Sequence, residues 1–296
     1  MNYIKRLILL FMLAIIYNCA AYAKQPEINV VIDNTTGSNG PLFYNWFIPL
    51  LEKNFDKVNI IQASDCNKAT DLYEKISDKP VVLLNQAQYY WLKEINKHTC
   101  GVKADNENIW IDFTFQQGIC TAGPNSSIEN FKKATKFGSP TPHEFTTLLI
   151  KQLNNSGMKL QEIPYNGGGG LTMPALLNGE IDYTTLALVR AKDLINEQKI
   201  SCFAKMGSNT SNYKGLSSFI PNVPLSNATL LYVGIGKNFT NENFQQFRTF
   251  VQDLYNDKSI KKQFDDSYIE FISGNSDDLI KYYDEQKKLY LTAFTQ

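Results

Sequence analysis

Apolar runs alternate with amphipathic segments along most of the chain, and each change of period marks a predicted element. Residues 27–32 (EINVVI) are short, β-branched and apolar, as in a buried parallel strand. A polar loop follows at 34–41, and residues 42–55 then carry apolar side chains at helical spacing. Further strands are predicted at 58–62 and 80–85, with a helix between them. This order is typical of a parallel α/β sheet.

The same alternation predicts a second α/β unit and a return to the first. Strands predicted at 109–115 and 118–122 end in a polar stretch that begins at Gly123, which we interpret as the passage into a second lobe. An apolar strand at 230–235 leads back, and helices follow it. The sequence therefore predicts a two-lobed α/β protein with two chain crossings and a ligand cleft between the lobes. The expected ranges are 1–23 for a signal peptide, 24–122 and 231–296 for the first lobe, and 123–230 for the second.

Three polar loops each follow a predicted strand and precede a predicted helix. They span 34–41, 139–144 and 166–170, and the last contains four consecutive glycines. Glycine lets a ligand approach backbone N–H groups closely, and a helix N-terminus favours anions. Ligands bind α/β sheets at the carboxyl ends of the strands. The loops therefore predict a binding cleft. A phosphate loop is disfavoured, because no Lys-Ser/Thr follows Gly170 and no G-x-G-x-x-G fits; a surface linker is the alternative for the glycine stretch.

The first residues have the features of a secretory signal. Lys5 and Arg6 precede an uninterrupted apolar run at 7–16, and Ala21-Tyr22-Ala23 is an A-x-A cleavage site. The apolar run is too short for a stable membrane span, and no later stretch is apolar enough. The sequence thus predicts export through the inner membrane to the periplasm.

Charge narrows the possible partners. Lys and Arg together number 29, as do Asp and Glu, and no basic tract is present, so nucleic acid is not an expected partner. After the signal the only arginines are Arg190 and Arg248, which are therefore the two candidates for a bidentate clamp on a carboxylate.

The cysteines suggest a disulfide framework. Cys66, Cys100, Cys120 and Cys202 follow the signal, and an even number in an exported chain suggests two disulfides with three possible pairings. We favour Cys66–Cys100 and Cys120–Cys202, since each pair stays within or beside one predicted lobe. Reduced, buried cysteines are the alternative.

Few residues suggest catalysis. His98 near Cys66 and Cys100 raises the possibility of a metal site or a Cys/His nucleophile, against which we favour a disulfide beside a surface histidine. His143 has no second histidine or paired carboxylate nearby in sequence to orient it. We therefore expect no enzyme activity, no cofactor and no metal.

Two motifs carry a resemblance to a known family. Residues 163–167 (IPYNG) are followed by 175–182 (ALLNGEID), and 137–140 read FGSP. Together they resemble the solute receptors of tripartite tricarboxylate transporters, in which a proline–tyrosine–x–glycine loop precedes a helix and then leucine–x–glycine–x–x–aspartate. The resemblance implies a periplasmic binding protein of type II topology, and we expect it to be a monomer. Its ligand, often a carboxylate in the family, would pass to a membrane permease.

The resemblance also implies which residues contact the ligand. In the family they come from the first strand–helix loop, the glycine–serine loop, the tyrosine–glycine loop and the aspartate. The expected ligand-binding residues are Asn34, Thr36, Gly37, Ser38, Asn39, Gly40, Ser139, Thr141, His143, Tyr165, Gly167, Gly168 and Asp182. The family's first loop is proline–glycine–glycine with a following aspartate and arginine, whereas here Thr36-Gly37-Ser38 is followed by Pro41 and Asn45. The ligand is therefore not implied by the resemblance.

Several alternatives stay open at this point. Asp182 could instead cap or pair locally. Tyr89, Tyr90 and Trp91 could line the cleft, although core packing is the favoured prediction. A sensor or scaffold module without a permease, or an exported Cys-dependent enzyme, are the alternative functions to a solute receptor. The related type II receptors of other periplasmic carriers are a near alternative family.

Overall fold

The structure is a computed structural model in which strands and helices alternate as the sequence predicts. It describes residues 27–33, 47–49, 51–53, 55–95, 100–102, 109–139, 145–165, 169–240, 245, 249–250, 252–254, 256–271 and 276–295. The predicted signal peptide lies outside the described residues.

Two sheets are built from the described strands. In chain order these are β1 (Ile28–Asp33), β2 (Val58–Ala63), β3 (Val81–Gln86), β4 (Ile109–Phe115), β5 (Gln117–Ala122), β6 (Lys136–Ser139), β7 (Gln161–Pro164), β8 (Tyr183–Ala187), β9 (Ile200–Lys205), β10 (Leu231–Lys237) and β11 (Ile269–Phe271). The first sheet has the order β11-β4-β10-β3-β1-β2, and the second has the order β7-β6-β8-β5-β9.

Helices cover both sheets. The described helices of eight residues or more are α1 (Cys66–Lys75), α2 (Ala87–Glu94), α4 (Phe145–Asn155), α5 (Gly169–Leu177), α6 (Leu188–Asn196), α7 (Lys258–Asp266) and α8 (Ser276–Thr295), and the single-turn helix α3 spans Ile128–Phe131. None of these is long and apolar enough to cross a membrane. Of the helix predicted at 42–55, the structure describes too little to assign its bounds.

The chain crosses twice between the sheets, as predicted, but the first crossing lies earlier than expected. β5 pairs antiparallel with both β8 and β9, so Gln117–Ala122 belongs to the second sheet and not to the first lobe. The crossing falls at Gln116, between β4 and β5. The polar stretch that begins at Gly123 follows the end of β5. A change of composition indicates where a strand ends, but it does not indicate which sheet the strand joins. The return strand β10 lies in the first sheet between β3 and β4.

Two short elements differ from the prediction. Residues 87–94 form α2, whose Tyr90 and Trp91 are buried. Trp91 packs against Tyr283 and Tyr290 of α8, each with ring centroids 5.5 Å apart. The prediction that these aromatic residues pack in the core is confirmed.

The strand β11 was not predicted, because three residues are too few to establish an alternation.

Both predicted disulfides are present. Cys66 bonds to Cys100 with Cα atoms 5.7 Å apart, and Cys120 bonds to Cys202 with Cα atoms 4.0 Å apart. Cys120 and Cys202 face each other in the register of β5 and β9, so their bond joins neighbouring strands of the second sheet. The pairing was favoured from sequence because each pair stays near one lobe. The alternative of reduced cysteines is wrong.

The C-terminal helix holds the two lobes together. Side chains from both lobes form one apolar cluster that includes Trp91, Leu148 and Tyr283. Gln286 of α8 accepts a hydrogen bond from the backbone N of Thr229, at 2.9 Å, in the segment that leads from the second sheet to β10. The region behind the cleft is therefore packed and hydrogen-bonded.

A buried ion pair also crosses between the lobes. Lys205 ends β9 in the second sheet, and its side chain is 0% exposed. Its Nζ lies 2.9 Å from Oε1 of Glu270, which belongs to β11 in the first sheet. The same Nζ donates to the carbonyl of Met206 at 3.3 Å. This pair fixes one lobe against the other beside the crossing at Gln116.

Candidate ligand-binding site

The carboxyl ends of β6, β7 and β8 lie at one edge of the second sheet. β6 runs parallel to β7 and β8, with Ser139 opposite Pro164. The backbone N of Tyr165 donates to the carbonyl of Ser139 at 2.8 Å. The structure therefore brings the described ends of two predicted ligand loops together. Thr141, His143, Gly167 and Gly168 lie outside the described residues.

The corresponding edge of the first sheet is formed by the ends of β1, β2 and β3. Asp33 ends β1 and is 8% exposed. Asn85, near the end of β3, is also buried and donates from Nδ2 to Sγ of Cys66 at 3.3 Å. The Cys66–Cys100 disulfide thus lies at this edge. The predicted first loop follows Asp33 directly, but Asn34, Thr36, Gly37, Ser38, Asn39 and Gly40 lie outside the described residues.

Asp182 lies at the opposite edge from Ser139. Its Oδ2 accepts hydrogen bonds from the backbone N of Thr135 at 2.8 Å, from Oγ1 of Thr135 at 3.0 Å and from the backbone N of Lys136 at 2.9 Å. Lys136 begins β6, whereas Ser139 ends it, and a strand of this length separates its ends by roughly 10 Å. Asp182 is therefore not brought together with Ser139 and Tyr165, and it makes the local cap that was its alternative interpretation.

Replacing Asp182 with asparagine should destabilise the second lobe in a pH-dependent way. Partial burial opposes ionisation, but the hydrogen bonds from Thr135 and Lys136 outweigh it and lower the pKa of Asp182 below its ordinary 3.8. A lowered pKa stabilises the fold above that ordinary value, and the contribution is lost as pH falls through the folded pKa. We expect D182N to cost about 1 kcal/mol at pH 7, a figure reduced for solvent screening. The cost should shrink by pH 3.

Urea unfolding at the two pH values measures this effect. Asp193→Asn is the matched control, since Asp193 is an exposed carboxylate on α6 of the same lobe. An equal cost of D182N at both pH values would contradict the role assigned to the ionised carboxylate.

Tyr165 packs on its own lobe. Together with Ile163 and Met173 it lies against the apolar cluster formed by α5, α6 and β8. Burial raises the pKa of Tyr165, and the nearby Glu180 carboxylate raises it further. Glu180 follows the end of α5, so the phenol lies beside that turn and not over Ser139. The described contacts of Tyr165 are therefore its backbone bond to Ser139, this packing and the interaction of its phenol with Glu180.

Ser139 orients a carboxylate. Its side chain is 0% exposed, and Oγ donates to Oε1 of Glu162 at 2.5 Å. Oγ1 of Thr147, in the first turn of α4, donates to the same oxygen at 2.5 Å. Glu162 thereby links the end of β6 to the first turn of α4. Sequence reasoning missed this glutamate, because a single charge in a short edge strand has no signature.

Arg190 stands at the same edge as Ser139. It lies in the first turn of α6, directly after β8, and is half-buried. Burial lowers the pKa of Arg190, although Tyr232 in β10 of the other lobe opposes this shift, and a guanidinium stays charged at neutral pH. Arg248, the other candidate clamp, lies outside the described residues.

Tyr232 of the first lobe belongs to a chain of hydrogen-bonded polar side chains. The Tyr232 hydroxyl accepts from Nε2 of Gln86 at 3.2 Å, and Gln88 donates to Oε1 of Gln86. The guanidinium of Arg190 therefore lies within electrostatic range of Tyr232, the member of this chain of side chains that belongs to β10. Within the described residues, no group of three or more His, Cys, Asp and Glu side chains could hold a metal ion.

Solved structures with the same architecture are numerous. A TctC solute-binding protein from Polaromonas superposes with a TM-score of 0.65 at 14% identity, covering 92% of this chain and 98% of that one. The chain has the fold of TctC-type solute-binding proteins. R. palustris Rpa4515 with adipate gives a TM-score of 0.68 at 14% identity, over 92% of this chain and 97% of that one. MatC from Rhodopseudomonas palustris with bound malate gives 0.63 at 10% identity, over 91% and 98%. No protein-family model and no curated protein matches the sequence.

In this TctC-type fold the observed strand orders confirm the predicted two-lobed, type II architecture. The scarcity of arginine made Arg190 a candidate clamp in the sequence, but it was not among the expected ligand-binding residues. Its position immediately after a strand of the second sheet is the signal that could have placed it there. At identities of 10% to 14% the superpositions establish the fold alone.

Proposed function

We propose that this chain is a periplasmic solute receptor, which captures a small carboxylate-bearing ligand between its lobes and delivers it to a membrane permease. The observation that carries the proposal is Arg190, a half-buried guanidinium at the carboxyl edge of β8 beside Tyr232 of the other lobe. The likeness to binding proteins solved with adipate and malate supports it. The predicted secretory signal supports the periplasm.

Arg190 suits the recognition of a carboxylate. Its planar fork of N–H donors matches the two oxygens of a carboxylate, and partial burial strengthens the pairing because water screens it less. A ligand held by Arg190 would also lie next to Tyr232 of the first lobe. Its binding would then favour the closed arrangement of the two lobes, which is the state that a permease would recognise.

The contacts of the cysteines argue against a thiol enzyme. Cys66 and Cys100 are bonded to each other, so neither supplies a thiolate nucleophile. The described polar groups at the strand ends, Arg190 among them, are suited to hydrogen bonding and ion pairing. These interactions suit reversible capture.

Replacing Arg190 with glutamine should weaken ligand binding about 100-fold, since one charge-assisted, bidentate contact is lost. Calorimetry of the mature chain with adipate, malate, alanine and 4-aminobutyrate would identify a bound class and then compare the variant. Arg190→Lys should lose less affinity than Arg190→Gln, because lysine keeps the positive charge although it lacks the planar fork of N–H donors.

Lys151→Gln is the matched control, because Lys151 is an exposed cation on α4 of the same lobe. Unchanged affinity in R190Q would remove the central support of the proposal. Binding to none of these solutes, with no ligand-dependent compaction in small-angle scattering, would count against a solute receptor of any kind.

A further inference from the structure

A second pocket lies between the two lobes, away from β1 and β6. Its volume is about 610 Å³, and its walls come from α6 and the loop after β9 in the second lobe and from α7 and β11 in the first. β9 and β11 are edge strands, about 14 Å from β6 and about 19 Å from β1 at the usual strand spacing. Arg190 does not line this pocket, and residues two apart on a helix, such as Arg190 and Lys192, do not face each other.

Contacts between the lobes hold the walls of this pocket in place. Nζ of Lys192 on α6 donates to the carbonyl of Asp266, the last residue of α7, at 3.3 Å. The rings of Tyr213 and Tyr268, one from each lobe, have centroids 6.4 Å apart. A ligand in the pocket would contact both lobes, so its binding would favour the arrangement of the lobes in which the pocket is formed.

Gln116 supplies a buried amide to the pocket. Its backbone is held by both lobes, since its N donates to the carbonyl of Tyr268 at 2.8 Å and its carbonyl accepts from the backbone N of Leu188 at 2.9 Å. The residue is 7% exposed and lines the pocket, and its side chain makes no hydrogen bond within the part of the chain that the structure describes. An amide so far withdrawn from water favours a ligand that can hydrogen-bond to it.

Two of the three carboxylates that line the pocket are already paired. Asp266 forms an ion pair with Lys262 at 2.6 Å, and Glu270 forms one with Lys205 at 2.9 Å. Neither lysine is among the lining residues. The charges of these two carboxylates are therefore compensated by the protein itself, and they do not require a cation from solution.

The remaining charges of the lining are two ammonium groups and one carboxylate. They belong to Lys192, Lys261 and Asp265. Lys261 is exposed and makes no ion pair or hydrogen bond among the described residues, while Lys192 uses one of its N–H donors at the end of α7. Lys261 lies five residues before Asp266, about 8 Å along the helix axis, so both ammonium groups are within reach of one small ligand. The excess of positive charge favours an anion.

We propose that this pocket is a second ligand site, which binds a small anion that also carries hydroxyl groups. Lys192 and Lys261 would pair with its carboxylate or phosphate, and Asp265 and the amide of Gln116 would bind its hydroxyls. The volume of about 610 Å³ lies within the range of small-molecule sites, roughly 300 to 1,000 Å³. The inference does not depend on Arg190 or on the ligand of the cleft.

Calorimetry on the mature chain with two matched pairs of probes tests the inference. The pairs are gluconate with sorbitol and glycerol 3-phosphate with glycerol, and only the first member of each is an anion. In at least one pair the anion should bind about tenfold or more tightly than the polyol, the worth of one charge-assisted contact. The pair that shows the preference distinguishes a carboxylate from a phosphate. Binding of neither anion, or equal binding of anion and polyol, overturns the inference.

Variants of Lys261 and Arg190 locate the bound anion. Lys261→Gln should weaken its binding about tenfold, because one charge-assisted contact is lost, whereas Arg190→Gln should leave it unchanged. Lys151→Gln is the control, since Lys151 is an exposed cation on α4 that does not line the pocket. Loss of binding in R190Q together with unchanged binding in K261Q would place the anion in the cleft. That result overturns the second site and supports the proposed function.

Gln116→Met separates a ligand contact from a structural role. Methionine has a similar length and no amide, so the variant should bind the anion several-fold more weakly. Its melting temperature should be unchanged or higher, because the amide that it removes has no partner among the described side chains. A lowered melting temperature with unchanged affinity would show that the amide serves the fold, which contradicts its role at the site.

Discussion

Glu270→Gln should destabilise the folded chain by about 3 kcal/mol, and Lys205→Met should cost about half as much. Removing one partner of a buried ion pair leaves the other charge uncompensated, and the penalty grows with the burial of that charge. The Lys205 side chain is 0% exposed, whereas that of Glu270 is 26% exposed. The ammonium in E270Q loses its counter-charge and keeps only neutral acceptors, the Met206 carbonyl and the amide oxygen of the new glutamine, while the stranded carboxylate of K205M reaches water.

Urea unfolding of both single variants and of the double variant measures the asymmetry. The double variant should cost less than the sum of the two, because neither charge is then stranded. Lys262→Met is the control, since Lys262 forms an exposed ion pair with Asp266 and should change stability by less than 1 kcal/mol. A larger cost for K205M than for E270Q would contradict the explanation by burial.

The same pair relates stability to the proposed lobe closure. β9 and β11 belong to different sheets, so Lys205 and Glu270 hold the lobes together at a point beside the crossing at Gln116. A contact near a hinge can persist while more distant edges approach each other. Loss of the pair should therefore change the scattering profile of the ligand-free chain, in which the lobe angle would be less restricted.

The sequence predicted most of the fold because its elements have strong periods. β1 is buried at every position, and its apolar run has the length of one strand. The crossing at Gln116 was placed too late, because pairing of β5 with β9 is a long-range contact that local composition does not encode. β11 was missed since three residues show no period, and its pairing with β4 decides its conformation.

The site was predicted less completely, for a different reason. Family motifs report backbone shape, so they located the loop ends at Ser139 and Tyr165. They gave Asp182 a ligand role that its three local hydrogen bonds do not support. The scarcity of arginine made Arg190 a candidate, but only the fold places it after β8 within range of Tyr232, and Glu162 lies in no motif. A site of this kind depends on side chains brought together by topology, which a single sequence does not show.

The double replacement Cys120→Ala/Cys202→Ala should reduce stability by about 4 kcal/mol, because the disulfide closes a long loop. The two cysteines are 82 residues apart, against 34 for Cys66 and Cys100. Loop-closure entropy depends only logarithmically on loop length. Cys66→Ala/Cys100→Ala should therefore reduce stability slightly less, and the difference between the two double replacements should be smaller than about 1 kcal/mol. Denaturant unfolding under non-reducing conditions compares the two.

The positions of the two disulfides in the fold should distinguish the effects of their removal more clearly than loop length does. Cys202 lies three residues before Lys205 on β9, so loss of the Cys120–Cys202 bond should couple with E270Q by at least about 0.5 kcal/mol in a double-mutant cycle. Cys66 lies at the cleft edge of the first lobe, where its Sγ accepts a hydrogen bond from Asn85. Loss of the Cys66–Cys100 bond should therefore weaken ligand binding. Its effect on the free energy of unfolding should add to that of E270Q without coupling. Equal coupling of both disulfides to Glu270 would mean that the ion pair responds to the stability of the whole chain and not to the position of β9.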